Sequence, residues 1–176
     1  FTDDSLEKYS AVIFLSTTGD VLNNYQEAAF ERYIQAGGGY VGIHAATDTE
    51  YEWGWYGRLA GAYFLDHPGI NDTFPNVQPG VLNVVDRSHI STKHLPEKWN
   101  KVDEFYSFKK MNPDVKVLVT VDEKTFNGGK NGDHHPMSWY HEYDGGRAFY
   151  TNMGHTNETF TEEPFVKHLL GGIQYA

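Results

Sequence analysis

The stretch "AGGGYVGIHAATDTEYEWGWYG", Ala36 to Gly57, decides the fold. Gly37 to Gly39 stop a helix. "YVGIH" then reads as a short buried strand, and the small residues Ala45 and Ala46 allow a sharp turn beyond it. His44 therefore arrives at a strand end, where many α/β enzymes carry a Ser or Cys nucleophile. Working outward, "AVIFLS", Ala11 to Ser16, is a continuous apolar run and predicts a strand buried on both faces. Between the two runs, Asn24 with Glu27 three residues on predicts a capping box. Ala29, Phe30, Tyr33 and Ile34 form the inner stripe of a helix ending near Gln35. Ala11 to His44 is thus a right-handed βαβ unit.

The flanking segments extend this pattern. "FTDDSLEKYS" predicts a short helix capped by Thr2. "EWGWYGRLAGAYF" predicts another, and Pro68 to Gly80 a loop. "GVLNVVD" and "VKVLVTVD" read as strands with "DEFYSF" as a third between them, and "MSWYHEY" and "RAFYTNM" as a hairpin around Asp-Gly-Gly. Thr161 is the expected cap of a last helix, with Glu162, Glu163 and Pro164 in its first turn. There is no repeat or linker, so one domain is expected over residues 1–176. The order predicts an α/β sheet whose second half gains antiparallel strands. Two parallel strands are few for a doubly wound sheet, which suggests that the N-terminal strands of the domain are missing from this chain.

Composition narrows the function classes. The net charge is −10, with 24 acidic against 14 basic residues and no basic stripe, so nucleic acid is not an expected partner. No apolar run reaches membrane-span length, and a membrane is not expected either. The absence of cysteine excludes a thiol nucleophile, disulfides and Cys-based zinc sites. The nine histidines are the unusual feature. Ligands of open α/β sheets bind beyond the carboxyl ends of the strands. Ser16 to Asp20 and His44 to Asp48 both lie there. The competing reading is a core histidine with satisfied bonds. Tyr51, Trp53, Trp55 and Tyr56 suit either a sugar wall or helix packing. His134, His135, His141 and Glu142 form a second polar cluster, and His155 with Glu158 a third; His67 and His89 stand apart. None has H-E-x-x-H spacing; a divalent metal, if bound, has His44, His155 and His135 as its candidate ligands. Asp103 and Glu104 are adjacent, so at most one faces a given site; Glu104 is the candidate acid/base. Asn71 and Asn157 match glycosylation sequons by pattern only.

"TTGDVLN", "GGGYVGIHAATDTEYEWGWYGRLAGAYFLDHP", "DEFYSF", "HHPMSWYHEYDGGRAFYTNMGHT" and "PFVKHLLGGI" together resemble the ThuA-like (trehalose utilisation) family over nearly the whole chain. The resemblance implies a flavodoxin-like, class I glutamine amidotransferase-like three-layer sandwich, and a first strand, helix and second strand ahead of Phe1. In the amidotransferase relatives a Cys stands at the strand-end elbow with a His late in the chain; His44 and His155 occupy those places here. Glu158 is the nearest third member, at a spacing that departs from the relatives' pattern. Glutaminase chemistry is therefore not implied. The Thr17-Thr18-Gly19 loop matches the relatives' oxyanion loop.

The resemblance further implies work on trehalose-like or 3-keto disaccharides. The leading expectation is a carbohydrate-active enzyme that cleaves or isomerises such a sugar by His-based acid/base chemistry. Its catalytic residues would be His44, His155, Asp48 (orienting His44) and Glu104. Thr17, Thr18, Trp55, Tyr106, His135 and Trp139 would bind substrate. The alternatives are a non-catalytic carbohydrate-binding module of a larger secreted protein and a His-ligated metal-dependent hydrolase. A homo-oligomer or fusion to other modules is compatible with the family. An extracytoplasmic location is favoured over a cytoplasmic one.

Overall fold

The computed structural model describes all of residues 1–176. Thr2 caps α1 (Asp3–Leu6): its Oγ1 accepts the Ser5 N–H, and its own N–H donates to Ser5 Oγ. Strand β1 (Ala11–Leu15), helix α2 (Asn24–Gln35) and strand β2 (Gly39–Ile43) form the βαβ unit, with β1 and β2 parallel. The cap of α2 lies one residue earlier than the sequence suggests. Asn23 is still extended, so its side chain reaches the Tyr25 and Gln26 N–H groups, and Gln26 returns the bond to the Asn23 N–H. Asn24 is already inside the helix.

Strand β1 corrects a second expectation. It is the edge of the main sheet, and only one of its faces is covered. Phe14 is buried against α2 and α3, whereas Ile13 and Leu15 are 45% and 54% exposed.

The chain continues through α3 (Gly54–Ala60), β3 (Tyr63–Asp66), β4 (Val77–Val84), β5 (Lys98–Glu104), β6 (Ser107–Lys109), β7 (Lys116–Val121), β8 (His135–Tyr143), β9 (Gly146–Thr151) and α4 (Glu163–Tyr175). Seven strands form one sheet in the order β1-β2-β9-β8-β7-β4-β5; β3 and β6 pair separately. Strand β9 joins β2 in parallel, so the parallel part holds three strands, the third supplied by the late hairpin. The pairs β9–β8, β8–β7, β7–β4 and β4–β5 are antiparallel. The β8–β9 turn uses Asp144 and Gly145, both at positive φ (48° and 98°), the geometry that suits the right-handed twist of a two-residue hairpin.

Three further segments differ from their sequence reading. Residues 77–80 already belong to β4, because they pair with the end of β5. "DEFYSF" is not one strand: the chain leaves β5 at Glu104, steps across Phe105 and Tyr106, and enters the smaller sheet at Ser107. Thr161 does not cap α4. Its Oγ1 is spent on the Glu158 carbonyl within a 3₁₀ turn, and Glu162 precedes the helix instead.

Two apolar clusters, one on each face of the sheet, hold the layers together. Phe30, Tyr33 and Ile34 of α2 and Tyr56 and Leu59 of α3 pack with Tyr40 and Tyr150. Phe165 of α4 packs in the cluster of Val41, Ile43 and Phe149. Neighbouring residues of β2 and β9 serve opposite faces, as strand alternation requires. No helix is long and apolar enough to cross a membrane.

Candidate functional site

Ile43 of β2 lies opposite Thr151 of the parallel β9, so the residues that follow each strand emerge side by side. His44 follows one and Asn152 to His155 the other. His44 sits at φ 51°, a left-handed conformation that costs a non-glycine residue on the order of 1–3 kcal/mol. The surroundings over-determine it. Tyr150 Oη donates to the His44 carbonyl at 2.7 Å, Tyr56 Oη to the Ala46 carbonyl at 2.8 Å, and the side chains of Ala45 and Ala46 are buried beneath the turn.

The imidazole of His44 is buried, yet it is not a solitary core histidine. Its Nδ1–H donates to the Asn152 carbonyl at 2.8 Å, because a carbonyl can only accept. Its Nε2 lies 3.1 Å from Glu104 Oε2 and 3.1 Å from His155 Nδ1, and those two atoms are 3.1 Å apart. Glu104 ends β5, at the far edge of the sheet from β1, with four strands between it and β2. Only a strongly curled sheet brings it to His44. Its Oε1 accepts from Asn76 Nδ2 at 3.0 Å. Burial pushes its carboxyl up, its contacts with His44 and Asn76 pull it down, and the balance lies below the ordinary glutamate value.

His67 completes the mouth. Its Nδ1 lies 2.8 Å from the Pro68 carbonyl, to which it donates, and 3.5 Å from Glu104 Oε1, while Nε2 has no protein partner. Tyr106 lies between the rings, 4.4 Å from His44 and stacked on His67 at 5.5 Å. Burial pushes its hydroxyl far up, so it stays neutral. Of the cluster, the His155 side chain is 35% exposed and that of His67 21%, whereas His44 and Glu104 are sealed.

Several expected site residues lie elsewhere. Asp48 does not orient His44; its Oδ1 accepts from Tyr51 Oη at 2.5 Å. His135 is fully buried behind the site, its Nδ1 on Glu123 Oε1 at 2.7 Å and its Nε2 on the Tyr106 carbonyl at 2.7 Å. Both nitrogens are committed, so it is neither a metal ligand nor a substrate contact. Trp139 is a core residue, fully buried, donating to the Ala60 carbonyl at 2.9 Å. Trp55 donates to Asp144 at the hairpin turn and stacks on Trp53 at 5.1 Å. That turn is at the opposite end of β9 from His155. Thr17 bonds Thr49 at 2.9 Å and Thr18 is exposed; neither bonds the imidazoles. Glu158 is exposed on its turn, and Glu104 is the carboxylate beside the two imidazoles.

Asp103 has a role of its own. Its carboxylate accepts the main-chain N–H of Gly154 and of His155, each at 3.0 Å, and the Thr159 hydroxyl at 3.0 Å. The buried Lys101 donates to Thr159 Oγ1 at 2.6 Å and Glu162 Oε1 at 2.9 Å, and lies 3.5 Å from Asp103. Nothing in the linear sequence marks Asn76, Asn152 or His67 for a role at this site, save the place of Asn152 directly after β9, mirroring His44 after β2.

A surface cleft of about 400 Å³ lies beside Asp20, Glu27, Glu50 and Trp53, away from the imidazoles. Asp20, Glu27 and Glu50 also bring carboxylates together, but Glu50 Oε1 is committed to the Val21 and Leu22 N–H groups.

The family model for ThuA, described as trehalose utilisation, matches residues 1–176. Among solved structures, a ThuA-like protein from Bacteroides uniformis is 26% identical with a TM-score of 0.81, covering 99% of this chain and 72% of that one. A ThuA-like protein from Parabacteroides merdae is 25% identical with a TM-score of 0.78, covering 97% and 71%. A cytoplasmic protein from Salmonella typhimurium, 13% identical with a TM-score of 0.69 over 99% and 74% of the two chains, shares the fold. No curated protein matches the chain.

Proposed function

The chain belongs to the ThuA family, described as trehalose utilisation, and on that premise we propose that it acts in disaccharide catabolism, with His44, Glu104 and His155 as its reacting centre. We read residues 1–176 as one domain of the flavodoxin-like, class I glutamine amidotransferase-like type. Helices on both faces of a sheet with a parallel half, and a sharp turn at a strand end, support that reading.

The observation that carries the function is the convergence of two imidazole nitrogens and a carboxylate oxygen, each 3.1 Å from the next, at the carboxyl ends of β2 and β9. No hydroxyl or thiol stands at the elbow, so an acyl-enzyme route has no nucleophile there. A keto-disaccharide needs none. The proton on the carbon between its keto group and its glycosidic carbon is acidic enough for an imidazole to remove. A positive charge held within the His44–Glu104–His155 cluster polarises the keto oxygen. His67 Nε2, a free lone pair at the mouth, takes the proton. The electron pair left behind forms the enolate. Its collapse forms a double bond to the glycosidic carbon and breaks the bond to the glycosidic oxygen, which takes the proton now on His67 Nε2; return of that proton to carbon without cleavage gives isomerisation. A plain disaccharide lacks the acidic proton and is not turned over.

The test is deuterium exchange. Incubated in D₂O with 3-keto-trehalose, the protein should place deuterium beside the keto group and release a monosaccharide, while trehalose stays intact. His67→Ala and His155→Ala should each abolish both signals. Tight binding of the keto sugar with no exchange would replace the enzyme by a non-catalytic carbohydrate-binding module.

A further inference from the structure

We propose that His44 Nε2, His155 Nδ1 and Glu104 Oε2 form a binding site for one first-row divalent cation. It would name the polarising group of the reaction above, but it stands on geometry alone and does not rest on the sugar reading.

Nδ1 of His44 donates to the Asn152 carbonyl, so in the neutral ring Nε2 carries a bare lone pair. That lone pair faces a carboxylate oxygen at 3.1 Å and a second imidazole nitrogen at 3.1 Å. The third edge of the triangle, His155 Nδ1 to Glu104 Oε2, is also 3.1 Å. Electron-rich atoms at this spacing, two of them sealed from water, need a proton or a cation among them; a single N–H on His155 Nδ1 can face only one of its two neighbours squarely, whereas a cation bonds all three.

The size of the triangle suits a metal. At bond lengths of about 2.0–2.2 Å, ligand atoms lie about 3.0 Å apart around an octahedral ion and about 3.4 Å apart around a tetrahedral one. The three edges of 3.1 Å fall between. Two imidazoles with one carboxylate select zinc or its neighbours (Fe²⁺, Co²⁺, Ni²⁺) over calcium and magnesium, which take oxygen ligands.

The ligands are also oriented as metal ligands are. The second nitrogen of His44 donates to a backbone carbonyl, and the second oxygen of Glu104 accepts from Asn76 at 3.0 Å. The main chain of His155 is held by Asp103. Three protein ligands leave coordination positions for water or substrate, and His155, 35% exposed, forms the side open to solvent. The competing occupant is a proton, which would make His44 an imidazolium paired with Glu104. Proton and metal use the same lone pairs, so the two states exclude one another.

The test uses the chelator-treated full chain, titrated with Co²⁺ by absorption and with Zn²⁺ by calorimetry. One ion per chain is expected, with the visible bands of a nitrogen- and oxygen-bound cobalt. His155→Ala and Glu104→Gln should each weaken binding by ~10²-fold or more, with the far-ultraviolet circular dichroism unchanged. His155→Ala is the variant that folds most safely, since the side chain is partly exposed. Binding only at millimolar concentration, or binding that both variants retain, overturns the site. One ion bound without any deuterium exchange on the keto sugar supports the site and removes the sugar reading alone. Full exchange by protein that binds no ion removes the site alone.

Discussion

Asp103 Oδ1 accepts the main-chain N–H of His155 at 3.0 Å. The next residue, Glu104, brings Oε2 to 3.1 Å from Nδ1 of the same histidine. One carboxylate of the adjacent pair thus holds the backbone of His155 and the other faces its ring. Strand alternation sends the two side chains in different directions, and the loop after β9 folds over the end of β5 so that it meets both.

This arrangement depends on Lys101. It is buried beside Asp103 and Glu162. Lys101→Met should cost about 3–5 kcal/mol, because Asp103 is left as a buried charge without its cation. Glu162 is partly exposed, and Glu162→Gln should cost about 1 kcal/mol or less. Urea denaturation of both variants measures the difference; equal losses would show that Lys101 does not neutralise Asp103.

The elbow makes a separate prediction. His44 is held at φ 51°. Glycine adopts that conformation freely and alanine does not. His44→Gly should therefore be more stable than His44→Ala by about 1 kcal/mol, although both remove the same ring. The reverse order in thermal denaturation would mean that the turn relaxes once the ring is gone.

The two tryptophans expected in a sugar pocket should separate. Trp139 is fully buried and Trp139→Ala should cost about 3–5 kcal/mol. Trp55 lies by the hairpin turn, away from His155. Trp55→Ala should leave kcat/KM for the keto sugar within about twofold, a change below ~0.5 kcal/mol. A large rise in KM would place sugar on that surface after all.

Acid should weaken the fold through His168. Burial pushes this imidazole down from its ordinary 6.5 to about 4, and it lies among Ser91, Thr151, Phe149 and Phe165, with His89 and His94 nearby. Between those two values the unfolded chain binds a proton there that the folded chain does not. The stabilisation is therefore complete above the unfolded value and is lost as pH falls toward about 4. The loss from this group should reach roughly 2–3 kcal/mol. Urea melts near pH 7 and near pH 4.5 should differ less in His168→Leu than in the wild type by about that amount; parallel losses would assign acid sensitivity to other groups.

Local pattern carried much of the reading. The apolar runs, the glycines at 37–39 and the small residues after His44 announced a strand-end histidine, since strand burial and tight turns leave their mark on neighbouring residues. Asp-Gly at 144–145 announced the hairpin, and the position of His155 after an apolar strand paired it with His44. The cap of α2 is ambiguous by one residue in the sequence because Asn23 and Asn24 are chemically alike, and only the backbone distinguishes the extended one. His135 looked like a ligand because a histidine's commitments are invisible in a linear string; Glu123 and the Tyr106 carbonyl take both of its nitrogens.

By itself, then, the sequence determined the βαβ unit, the histidine at its turn and the second histidine beyond the hairpin. Those follow from side-chain periodicity and turn chemistry, which act over a few residues. The tertiary structure alone decided that β9 is the third parallel strand, that Glu104 and not Asp48 or Glu158 meets the imidazoles, and that Asp103 holds the loop from beneath. Glu104 is 60 positions along the chain from His44, and four strands stand between theirs in the sheet. Their meeting depends on the curl of the whole sheet, which is set by the summed packing of both its faces and is encoded in no short segment.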